Sequence, residues 1–269
     1  ISGITTLGTT SFTADATVNG LTVGKGANSG SQNIAIGDNA LDANTTGGRN
    51  TAIGSNALTD CTTGQNNVCV GSNAGENITT SENNVAIGHD AMEENTTGDN
   101  NIAIGTRTLE ENTTADNNTA VGYEALTSNT TGAENVAVGY QALNANTTLG
   151  THTAIGAYAL KANTTGTNNT ALGYNTLLTN TTGSHNIAVG VNPLRLNTTG
   201  SNNTAIGRDC LEANTTASNV TAVGYKALTS NTTGTSNCAV GTNALRDNTD
   251  TSNNTAIGKD ALKLNTAAS

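Results

Sequence analysis

The stretch Asn50-Thr51-Ala52-Ile53-Gly54-Ser55-Asn56-Ala57-Leu58-Thr59-Asp60-Cys61-Thr62-Thr63-Gly64-Gln65-Asn66 is one copy of a unit that fills most of the chain. The glycine closing its Ala-Ile-Gly step recurs at Gly37, Gly54, Gly71, Gly88 and onward to Gly258. These are fourteen copies, each seventeen residues from the last, with no insertion or deletion. A period held this strictly implies that each copy stacks on its predecessor, because one extra residue would shift every column beyond it. The unit reads Asn-Thr-Ala-Ile-Gly-x-x-Ala-Leu-x-x-Asn-Thr-Thr-Gly-x-Asn.

Seventeen residues are too few for a helix–turn–helix repeat, and fixed columns of Thr, Gly and Asn disfavour helix. The pattern predicts an all-β fold, a parallel β-solenoid (β-roll) of fourteen coils, each built from two short strands and two turns. Thr-Ala-Ile-Gly and Ala-Leu-x-x would border one pair of straight runs, with Asn-Thr-Thr near the second. The glycines after Ala-Ile and after Asn-Thr-Thr are expected at positive-φ corners. Residues 1–32 precede the repeat, and alternation in the Thr-rich stretch from Ile4 to Val23 suggests a short β neck. The organisation expected is therefore a neck over 1–32 and a solenoid over 33–269. At about 4.8 Å per coil the rod would be roughly 67 Å long.

Composition narrows the function classes. Aromatic residues are 2% and charged residues 11% of 269, with no Trp, one Phe and a single proline, Pro193, so the usual large core fillers are missing. A net charge of −10 argues against nucleic-acid binding, which rests on basic patches. No apolar run approaches the roughly 18–20 residues of a membrane span, so no membrane insertion is expected. The chain opens at Ile1 with neither Met nor a signal segment and reads as a piece of something longer.

Stacking turns each unit position into a column. The column Ile36, Ile53, Val70, Ile87, Ile104, Val121 onward to Ile257 is never polar, and Leu41, Leu58, Met92, Leu109 through Leu262 is broken only by Gly75. Both are expected inside. The residue before each Ile/Val is Ala in every copy but Cys69. Strand neighbours face opposite ways, so this Ala row is expected to point outward. A second Ala row, before Leu, varies only at Thr108, Thr176, Pro193 and Cys210. Outward rows of small residues suggest close packing of another chain, hence a homo-oligomer, with a trimer preferred over a monomer whose Ala rows are plain surface. Two Asn columns, Asn44 with Asn95 and Asn112 onward, and Asn33 with Asn50 and Asn67 onward, suit amide ladders or turn caps.

Several features look functional and have structural readings beside them. Asn-Thr-Thr is formally a glycosylation sequon, but glycans about 4.8 Å apart would crowd one another. Cys61, Cys69, Cys210 and Cys238 occupy four different columns; they read as small free thiols, with an inter-chain disulfide the other possibility. His89, His152 and His185 are dispersed, unlike convergent metal ligands. Glu93, Glu94, Glu110 and Glu111 stack two acidic pairs in adjacent coils and form either a Ca²⁺ site or a solvated acidic turn. Tyr123, Tyr140, Tyr158, Tyr174 and Tyr225 all fall in the two variable positions after the corner glycine. They decorate a turn or contact a saccharide or protein partner. No nucleophile–base, paired-carboxylate or phosphate-loop pattern stands out, so neither catalysis nor a cofactor is expected.

The Asn-x-Ala-Ile-Gly-x-x-Ala core resembles the head repeats of trimeric autotransporter adhesins, which implies left-handed parallel β-rolls wound as trimers. The seventeen-residue period is longer than theirs. The fuller unit, through Asn-Thr-Thr-Gly, resembles repeats in long tail-fibre proteins of tailed bacteriophages, notably marine ones, where a segment similar to Val18-Asn-Gly-Leu-Thr-Val-Gly24 often precedes them. This implies an extracellular, virion-surface or cell-surface shaft that presents a distal receptor-binding tip, with adjacent fibre or baseplate proteins as partners. The alternative is a surface adhesin whose solenoid face binds host glycan or protein. An ice-binding solenoid is a third class. It is disfavoured because adjacent Thr-Thr residues place their rows on opposite sides.

Overall fold

The computed structural model describes residues 16–18, 21–24 and 32–266. Two short strands, β1 (Ala16–Val18) and β2 (Leu21–Gly24), pair antiparallel, and β2 pairs antiparallel with β3 (Ile34–Ile36). From β3 to β16 (Thr255–Ile257) every strand pairs parallel with the next, in one unbroken order. The register is seventeen throughout, as in Ala35↔Ala52 and Ala239↔Ala256. The chain is an all-β parallel β-solenoid of about 13 turns. At about 4.8 Å per turn, β3 and β16 lie about 62 Å apart. Most of the expected neck lies outside the described residues; the β1–β2 hairpin is the part of it seen here.

Each coil holds one strand of three residues, not two strands. The reason lies in the turn after it. Asn56 (φ 55) and Leu58 (φ 56) both adopt left-handed backbone, and the same two positions do so in every coil up to Asp260 and Leu262. Alternate left-handed residues cannot extend into a ladder strand. The corner glycine is left-handed as expected, at φ 139 in Gly54. The glycine after Asn-Thr-Thr is not; the second corner turns two residues later, at Asn66 (φ 58). Asn at that point tolerates the conformation better than most residues.

The strand faces the opposite way from the sequence expectation. Ala52, Ala86, Ala103 and the rest of the strand Ala row are fully buried, and so is nearly all of the second Ala row. The Ile/Val column points outward: Ile87, Ile104, Leu172 and Ile206 expose 37–44%. Alternation fixes only that the two columns lie on opposite sides. The size of the lumen decides which is inside. The Leu column is buried as expected, and it shares the interior with two Asn columns. A coil this small then has room for a methyl group beside them and not for a branched butyl. The outward-Ala argument for a trimer therefore falls.

Buried amides form two hydrogen-bonded ladders. In the strand-entry column, Asn50 donates through Nδ2 to Gly64 O of its own coil (2.8 Å) and accepts at Oδ1 from the Asn67 N–H of the next (2.9 Å). In the sequon column, Asn129 donates to Asn112 Oδ1 (3.0 Å) and to Gly132 O (2.9 Å). The Thr that follows sends both its N–H and its hydroxyl to the next coil's carbonyl, as from Thr62 to Thr79 O (2.9 and 3.2 Å). Buried polar groups satisfied this fully stabilise the stack and fix its register; left unpaired, each costs about 1–3 kcal/mol.

Substitutions inside the core are matched to one another. In the coil 67–83 the Leu position is Gly75, the sequon Asn is Ile78 and the strand Ala is Cys69, all buried. A Cβ on Gly75 would lie 2.7 Å from Cys69 Sγ and 2.9 Å from Ile78 Cδ1, so these two side chains fill the space Leu occupies elsewhere. Where Thr108 replaces the second Ala, its hydroxyl donates to Gly122 O (2.6 Å).

Candidate functional site

The acidic corner lies on the turn after the strand. Glu93 and Glu110 stack in one column, and Asp90, three residues before Glu93 on the same turn, joins them: one carboxylate oxygen from each lies within 4.8 Å of the others. These three residues could offer oxygen ligands to a divalent cation. Burial holds the Glu93 carboxyl above its ordinary range, and the neighbouring charges of Asp90, Glu76, Glu94 and Glu110 add to this. Glu94 and Glu111, one residue further on, stand outside the trio; Glu94 accepts instead from Asn77 Nδ2 (3.2 Å). Arg107 bridges Glu110 (2.9 Å) and Glu124 (3.1 Å), supplying a cation to the same corner. Asp90 was legible as a neighbour three residues before Glu93, but only the left-handed turn between them brings the carboxylates together.

Four of the five tyrosines form one row. Tyr123 and Tyr140 stack with centroids 5.4 Å apart, Tyr140 meets Tyr158 edge-on at 5.2 Å, and Tyr158 meets Tyr174 at 6.2 Å. Lys161 sits over the Tyr158 ring at 5.3 Å. Tyr225 is separate, with Lys226 over its ring at 5.4 Å. A side-chain hydrogen bond to Glu124 raises the Tyr123 phenol above its ordinary range. Stacking covers one face each of Tyr123 and Tyr140, while Tyr123, Tyr140 and Tyr174 stay 43–49% exposed.

Three of the four cysteines are interior. Burial pushes the Cys61 thiol up to about 11 and that of Cys210 to about 12, and Cys69 higher still. Raised thiols are poor nucleophiles. Cys238 is half-buried on the outward strand face. His89 pairs with Asp90 (2.6 Å), whereas His152 is buried in the strand-entry Asn column. The imidazole there takes over both duties of the amide. Its Nδ1 accepts from the Asn169 N–H (3.4 Å), and a backbone hydrogen bond links it to Gly166. Burial lowers its pKa to about 4. His185 sits on a left-handed turn residue (φ 57), and among the described residues no histidine joins a cluster able to hold a metal ion. The sequon asparagines are buried with Nδ2 hydrogen-bonded inward, which closes them to modification in the folded chain.

Among the described residues no helix is long and apolar enough to cross a membrane. The class the fold defines is a parallel β-solenoid repeat protein. Comparison with protein-family models, curated proteins and solved structures finds no match to this chain.

Proposed function

We propose that the chain is a structural shaft segment of an extracellular or virion fibre, a rigid spacer that holds a distal receptor-binding tip away from its base. The observation that carries this reading is the unbroken run of parallel strands at one register, with interior amide and threonine ladders running along the axis. A stack joined this way resists bending, because bending must lengthen hydrogen bonds on one side of every coil. Its partners on this reading are adjacent fibre or baseplate proteins and further copies of itself. The resemblance to phage tail-fibre repeats supports the virion over the cell surface.

Deletion of whole coils from the fibre that carries the chain tests this. Each lost coil should shorten the fibre by about 4.8 Å in electron micrographs while attachment to the host persists. Loss of attachment with the solenoid still folded would overturn the spacer. The tyrosine row favours a second reading, an adhesin that binds host glycan or protein through this flank. Tyr140→Ala with Tyr174→Ala should leave host binding unchanged in a spacer and abolish it in an adhesin.

A further inference from the structure

The outward strand face carries a column with a selection of its own. The chain is rich in Thr, and Thr is common at the outward position that opens each strand, as at Thr51, Thr119 and Thr204. Two residues on, at the other outward position, all fourteen strands have Ile, Val or Leu. Thr is as β-branched as Val and as suited to a strand. Strand propensity therefore does not explain its exclusion there. Apolarity does, although the single chain leaves this column substantially in water.

Neither outward column carries a charge in any coil. The net charge of −10 is placed elsewhere. A strand width of about 10 Å over about 62 Å of rod gives an uncharged strip of about 600 Å². Two such strips would bury about 1,200 Å², within the range of stable protein–protein interfaces. Isolated exposed apolar residues need no explanation, but a contiguous strip of this size does.

We propose that this Ile/Val face is the contact surface between copies of this chain, packed side by side along the rod. A partner for the face must be straight, uncharged and corrugated every about 4.8 Å over the full length, and a second copy meets all of these conditions. The seven strands that lack Thr at the opening position leave no regular hydroxyl lattice, so the strip fits an apolar solid partner better than ice. The inference deepens the shaft reading, since laterally joined rods are stiffer than one.

The test is the mass of the folded chain by analytical ultracentrifugation. The native protein should sediment at a multiple of 26.9 kDa. Val121→Lys with Val138→Lys should sediment as a single chain with an unchanged circular dichroism spectrum. Should the lysine pair fail to fold, Val121→Thr with Val138→Thr keeps the β-branch and should raise the dissociation constant roughly tenfold. Cys238 gives an independent readout: its maleimide labelling should be slow in the native assembly and fast in the dissociated variants. A native protein that sediments at 26.9 kDa would overturn the proposal, and if the rod is full length the shaft reading still stands. Variants that keep the native mass would overturn it equally. So would a single-chain rod with thermal hysteresis, which would assign the face to ice.

Discussion

Residues 84–134 and residues 135–168 keep the same period, yet their interiors differ. In the first stretch each ladder is continuous: Asn112 donates to Asn95 (2.9 Å), Asn129 to Asn112 (3.0 Å), and Thr113 reaches Thr130 O through both N–H and hydroxyl. In the second, Leu149-Gly150 replaces Gly followed by a variable residue, and His152 replaces Asn. The Asn163 Nδ2, 3.4 Å from His152 Nε2, donates to Gly166 O (3.0 Å), and Asn146 Oδ1 is left buried without a partner. The other such atom, Asn44 Oδ1, also lies at a ladder break, below Cys61. The contrast teaches that the fold tolerates changed interior chemistry and not changed length. It also locates the weak joint, at the step from residues 135–151 to residues 152–168.

The largest effect should come from breaking the regular stretch at its backbone. A Cβ on Gly122 would lie 2.6 Å from Gly139 O, on a residue at φ +132, so Gly122→Ala should cost about 4 kcal/mol in urea unfolding. Gly258→Ala, where nothing lies within 4 Å, should cost only the strain of the left-handed backbone, about 1 kcal/mol. Equal losses at the two sites would refute the close-approach argument.

Acid should act at the joint. The folded pKa of His152, about 4, lies below its ordinary 6.5. Between those values the unfolded chain binds a proton that the folded chain excludes. Stability therefore falls as pH drops through that window and levels off below it, by roughly 3 kcal/mol in all. Comparing urea midpoints at pH 7 and pH 4 for native protein and His152→Asn measures this. A pH response that survives the substitution would place the sensitivity elsewhere.

Smaller differences should follow the ladders themselves. Asn112→Ala removes a link with neighbours on both sides and should cost about 2 kcal/mol, more than Asn146→Ala at the break. At pH 7, His152→Asn should repair the joint and raise stability by about 1 kcal/mol, read as a higher unfolding temperature. A lowered temperature would mean that the imidazole packs better there than the amide it displaced.

Much of this architecture can be read from spacing. The period, the corner at Gly54 and the buried Leu58 column follow from residue type and recurrence. The sidedness of the strand does not. Ala52 and Ile53 must face opposite ways, but only the cross-section, already filled by Leu58 and two amides, decides which enters. Hydrophobicity alone points to Ile and misleads, because in a narrow lumen volume outranks apolarity. The left-handed backbone at Leu58 was illegible for a related reason: Leu rarely adopts it, and full burial of its side chain offsets the strain. At the acidic corner, Glu93 and Glu110 were readable as a stacked pair, while Asp90 needed the turn that the strain creates.

The constancy of the seventeen-residue register has a genetic counterpart. Unequal crossing-over between near-identical coding repeats adds or removes whole coils, and each such event keeps every column aligned. Rod length can then evolve in steps of about 4.8 Å by recombination alone, without a point mutation and without a misfolded intermediate. An insertion of any other length would shift every column beyond it. Length in this fold is therefore available only in whole coils of seventeen residues.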